Sequence, residues 1–104
     1  MDHVLKRITL ETAELSVILA WWNLYLDIMA SQQLGFAPAP IEQQIAETIQ
    51  KAIATSQSFM LTELDADWIL TWADTATRPT QIANNLCNDK ERAVLLRIET
   101  LVGK

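Results

Sequence analysis

The side chains with the strongest claim to chemistry are four acids, Glu63, Asp65, Asp67 and Asp74, grouped around Trp68 and Trp72. Several carboxylates close together are what a hard cation takes as ligands. Acids are also favoured in the first turn of a helix, whose N-terminal end carries a positive partial charge. No calcium-loop pattern with its glycine accompanies them, so they read first as helix-start residues. Histidine and cysteine occur once each, as His3 and Cys87. One of each cannot complete a zinc ligand set. A nucleophile–histidine triad would have to recruit His3 from a chain end that frays. Cys87 reads as a small apolar residue on a helix.

Glu11-x-x-Glu14 sets two acids one helical turn apart. All-helical nucleotide pyrophosphohydrolases and di-iron bundles use such pairs. The first need a later Glu-x-x-Asp, and the second need Glu-x-x-His; neither occurs here. Glycine stands only at 35 and 103, which excludes a phosphate loop of the GxxxxGK type. No catalytic, cofactor-binding or metal-ligating residue is therefore assigned, no cofactor is expected, and the chain is not expected to be an enzyme.

What remains is a question of which elements bury so much apolar surface. Half of the 104 residues are hydrophobic, with two glycines and three prolines. That composition supports a real core and suits a few long helices joined by short loops. The organising stretch is residues 15–29, in which only Ser16, Asn23 and Asp27 are polar. At 3.6 residues per turn these three fall on one stripe with Ala20, extended by Thr9, Thr12, Ala30 and Ser31, and leave an apolar arc of roughly 220°. One flank holds Val17, Trp21, Leu24 and Ile28. The other holds Leu15, Leu19, Trp22, Leu26 and Met29, with Ile18 and Tyr25 between the two. Such a helix is central to its own bundle or shared with a partner.

The expected first helix runs from residue 2 or 4 to about Leu34, with Gly35 as its C-terminal stop, and spans roughly 40–45 Å. Pro38 and Pro40 make 35–40 a loop, with Phe36 as an anchor under the core. A second helix is expected over 40–56, with Ile41, Ile45, Ile49, Ala52 and Ile53 inward and Glu42, Gln43, Glu47, Gln50 and Lys51 outward. Residues 59–61 read as an apolar connector. Thr62 caps a third helix that places Leu61, Leu64, Trp68 and Trp72 on one face and ends at Arg78-Pro79. A short helix from Thr80, a break near 87–89 and a last helix carrying Val94, Leu95, Ile98, Leu101 and Val102 complete the chain. The fold class is all-α: one domain over 1–104, a small bundle of four or five helices around one long N-terminal helix.

Net charge is −5, which does not suit tracking nucleic-acid phosphates or an anionic membrane. Lys6, Arg7 and the apolar run imitate a signal peptide, but Glu11, Glu14, the paired tryptophans and Asp27 break the pattern. The run is also short for a membrane span, which takes about 20 apolar residues. With a single cysteine the expected compartment is the reducing cytoplasm.

The functional expectation is a small acidic protein-interaction module (an assembly factor, adaptor, inhibitor or immunity-type partner) that associates with another protein or with itself, a dimer first. Its contact residues are expected to be Trp21, Trp22, Tyr25, Leu26 and Met29. Trp21 and Trp22 point about 100° apart, too divergent for both to enter one small core easily. The alternative is a DNA-binding regulator with a helix-turn-helix-like segment at 78–100, drawing on Arg78, Lys90, Arg92 and Arg97.

Overall fold

The computed structural model describes residues 6–82 and 89–103, and only the backbone of 77–82. Among the described residues the order is β1 (Arg7–Leu10), α1 (Thr12–Gln32), α2 (Pro40–Ala54), β2 (Phe59–Thr62), α3 (Glu63–Ile82) and α4 (Asp89–Val102). The molecule is mostly helical, as expected, but the all-α class needs correcting. Residues 7–10 and 59–62 form an antiparallel two-stranded sheet, with Ile8 opposite Leu61 and Leu10 opposite Phe59.

The local reason lies in alternation. Arg7-Ile-Thr-Leu10 and Phe59-Met-Leu-Thr62 both switch faces every residue, and β-branched and aromatic side chains suit a half-buried strand. Leu10 and Leu61 are sealed in the core and Ile8 and Phe59 pack against it, while Arg7, Thr9 and Met60 face out. The Glu63 N–H donates to the Lys6 carbonyl at 3.1 Å and carries the ladder one step further.

α1 therefore starts at Thr12 and spans roughly 31 Å at 1.5 Å per residue, about three-quarters of the expected length. Glu14 sits at its third position and accepts the Glu11 N–H at 3.0 Å. The acid pair is thus a helix start, one arm of a capping box. The helix ends with the Gln33 N–H on the Met29 carbonyl, two residues short of Leu34. Gly35 takes φ +76° in the turn that follows.

α2 begins with Pro40 at its first turn, where the missing N–H costs nothing. It closes in a Schellman arrangement: Gln57 N–H to the Ala52 carbonyl at 2.8 Å and Ser56 N–H to that of Ile53 at 3.1 Å. Ser56 supplies the left-handed residue, φ 56°, a position that favours glycine. The inward face is Glu42, Ile45, Ala46, Ile49 and Ala52, so Ile41 and Glu42 exchange the sides expected of them.

α3 continues through Arg78-Pro79 to Ile82. The proline removes one hydrogen bond from the ladder without ending it, so the expected stop at 78–79 and the separate helix from Thr80 are both corrected. The remainder of that segment and the break expected near 87–89 lie largely outside the described residues. Leu64, Trp68 and Trp72 do not share a surroundings: each i+4 step drifts about 40° around a helix, and Leu64 and Trp68 are exposed while Trp72 is sealed. α4 buries Val94, Ile98 and Leu101 with Leu95 and Val102 beside them, as its spacing predicts.

α1 lies at the centre. It packs on α2, α3 and α4, most extensively on α3.

Candidate interaction surface

The polar stripe of α1 faces outward as predicted: Ser16, Ala20, Asn23, Asp27, Ala30 and Ser31 are all exposed. Its apolar arc divides along the helix. From Leu15 to Trp22 it is covered by the chain itself, with only Leu19 half-buried. Beyond that, Leu26, Ile28 and Met29 are half-buried and Leu24 is exposed, although Tyr25 between them is buried.

Trp21 and Trp22 are 1 % and 5 % exposed. The expectation that two indoles on adjacent sectors could not both be housed is overturned, because α1 has neighbours on three helices rather than one. Trp22 packs against Trp72 with ring centroids 4.6 Å apart and against Tyr25 at 6.0 Å. Tyr25 meets Phe36 edge-on at 5.9 Å, so Phe36 does anchor the 35–40 loop. Of the five expected contact residues, Trp21, Trp22 and Tyr25 thus lie in the chain's own core, and Leu26 and Met29 remain accessible. The Trp21 indole N–H is buried without a hydrogen-bond partner.

Beside this aromatic cluster lies the residue that sequence reasoning missed. Glu42 is 4 % exposed. Its Oε2 accepts the Trp72 indole N–H at 2.8 Å and its Oε1 the Ala39 N–H at 3.0 Å. A buried carboxylate is tolerable when its oxygens are paired in this way. Burial, followed by the charge and hydrogen bond of Glu42, raises the Tyr25 hydroxyl above its ordinary range. The signal in the sequence was Glu42 at the third position after Ala39-Pro40, the place of a capping acid.

Next to Trp22, α1 and α2 leave an open groove of about 380 Å³ lined by Trp22, Leu26, Pro38, Ala46 and a polar side of Gln43, Glu47 and Gln50. It joins the half-covered end of α1 to the outer face of α2.

The other sequence candidates are placed as follows. Glu63 Oε1 accepts the Lys6 N–H at 3.2 Å, and Asp65 sits at the wall of a second groove beside β2. No group of three or more potential ligands that could hold a metal forms among the described residues. Arg97 is engaged within the chain: it forms an ion pair with Glu14 and donates to the Thr9 carbonyl at 3.0 Å. Burial pushes the Glu14 carboxyl up, but Arg97 and the Glu11 N–H outweigh it, and the net shift is downward. The DNA-binding alternative thereby has one of its four cations tied to β1 and α1. No helix among the described residues is long and apolar enough to cross a membrane.

Set against known proteins, the chain matches no family model, no curated protein and no solved structure.

Proposed function

We propose that the chain is a non-catalytic, cytoplasmic protein-interaction module that self-associates as a dimer through the half-covered end of α1. The observation that carries this reading is the break in burial along one continuous apolar arc, from sealed at residues 15–22 to half-open at 24–29. Trp22 and Tyr25 form the floor, held in place by Trp72 and Phe36. Leu26 and Met29 stand on that floor as the contact residues. A rigid aromatic base under accessible aliphatic side chains is the construction of an interface hot spot, because little side-chain freedom is lost on binding. The exposed Ala20, Asn23 and Ala30 are small, so a second helix can approach closely along the neighbouring stripe. The titratable groups inside the structure are committed to helix starts and inter-helix ties, as Glu14 and Glu42 show, which favours a structural over a catalytic reading.

Leu26→Asp tests it. The variant should sediment as a monomer at concentrations where the wild type is dimeric, with helix content and melting temperature little changed, because Leu26 is only half-buried. Equal self-association in Leu26→Asp and wild type would remove the end of α1 as the interface.

A further inference from the structure

A second surface lies on the opposite side of α2, and it goes beyond self-association. Four large apolar side chains are exposed where the first turn of α2, β2 and the start of α3 come together: Ile41, Met60 at 54 %, Leu64 at 64 % and Trp68 at 37 %. Ile41 and Met60 line a groove of about 250 Å³, with Phe59, Ile45 and Thr48 behind them and the carboxyl of Asp65 on its wall. β2 leads directly into α3, so Leu64 and Trp68 flank Asp65 on the same side of the molecule.

The charge around this surface is one-sided. Over residues 40–77 the acids are Glu42, Glu47, Glu63, Asp65, Asp67 and Asp74, and the lone base is Lys51, in the last turn of α2 and far from Ile41 in the first. We infer that this face binds a basic, amphipathic segment of a partner protein. The groove is smaller than the roughly 300–1,000 Å³ of small-molecule sites and suits one long side chain. A lysine or arginine fits its chemistry: the aliphatic stem lies along Ile41, Phe59 and Met60, and the cationic head reaches Asp65. The exposed Trp68 ring offers a cation–π contact to a second basic residue, and Leu64 an apolar one. An acidic or uncharged partner would gain the apolar contacts and lose the attraction that steers it there. The chain previews the interaction itself, since the Arg7 guanidinium already lies over Met60, 3.6 Å from its sulfur.

The test uses the full chain and two labelled probes, an amphipathic helical peptide of Leu and Lys and its Leu/Glu counterpart, read by fluorescence anisotropy. The Lys peptide should bind saturably at one per chain, and more weakly as salt rises; the Glu peptide should not bind. Asp65→Asn and Trp68→Ala should each weaken binding about tenfold, the size of one lost charge or ring contact. Asp27→Asn, an exposed acid on the α1 stripe, should leave binding unchanged, and Arg7→Ala should tighten it. Leu64→Ser gives the same reading should Trp68→Ala prove unstable. No binding of the Lys peptide at low salt, or equal losses from Asp27→Asn and Asp65→Asn, would overturn the inference.

Discussion

The first half of α1 and its last two turns are built from the same kinds of residue and end in different surroundings. Leu15, Val17, Ile18, Trp21 and Trp22 are buried by the chain's own elements, whereas Leu24, Leu26, Ile28 and Met29 are left half-covered or exposed. Hydrophobic pattern alone does not separate the two halves, because it reports which side chains shun water and is silent on who supplies the cover. The cover depends on distant parts of the chain. β2, 50 residues further along than β1, and the inward faces of α3 and α4 supply the rest of the core. α2 ties down its own start through Glu42 and Trp72, and leaves a groove beside Leu26.

The comparison breaks most sharply under core truncation. Ile18→Ala and Trp72→Ala should each lower unfolding free energy by about 3–5 kcal/mol in urea titrations, since both side chains are fully buried and leave cavities. Leu26→Ala should cost about 1 kcal/mol or less. Similar losses at 18 and 26 would mean that the end of α1 is as well covered as its start.

Next in size is the tie that holds α2 beside the aromatic cluster. Glu42→Ala strands the Trp72 indole and the Ala39 N–H, and should cost about 2–3 kcal/mol while quenching or shifting tryptophan emission. A loss below 0.5 kcal/mol, on the same order-of-magnitude scale, would show that the pair contributes little to positioning the groove.

The seam between α4 and the start of α1 is expected to be weaker and pH-dependent. The folded-state pKa of Glu14 is depressed, so its contribution is present above the unfolded value of 4.5 and is lost as pH falls through the lower folded one. Arg97→Ala should remove about 1 kcal/mol near neutrality and flatten the acid limb of a stability–pH profile. An unchanged acid limb in this variant would show that the pair is idle.

The smallest effect concerns the turn after α2. Ser56→Gly should stabilise the protein by a few tenths of a kcal/mol to about 1 kcal/mol, by relieving the left-handed φ, and should raise the melting temperature by a few degrees.

Much of the helical organisation was legible in the residues. Pro40 marks the start of α2, the spacing of Val94, Ile98 and Leu101 gives the inner face of α4, and Ser16, Asn23 and Asp27 mark the outer stripe of α1. The sheet was not legible, for a physical reason. Val4, Leu5, Ile8, Thr12 and Leu15 have helical spacing, while Arg7–Leu10 alternates over only four residues, and a strand that short is decided by a partner remote in sequence. Pro79 misled because a proline costs a helix one bond and a clash, which surrounding packing can outweigh. Glu42 misled because a charged residue is assigned outward unless its partners are known, and Trp72 lies 30 residues away. The five residues expected at the interface were correctly apolar and central. Which of them stayed accessible depended on the cover, and only Leu26 and Met29 did.

The most direct test of the central claim is absolute mass by light scattering after gel filtration, from low micromolar to near-millimolar protein. The account predicts a reversible rise from the 11.7 kDa monomer to twice that mass as concentration increases. A monomer at every concentration would contradict it, and would mean that the half-covered end of α1 does not meet a second copy of this chain.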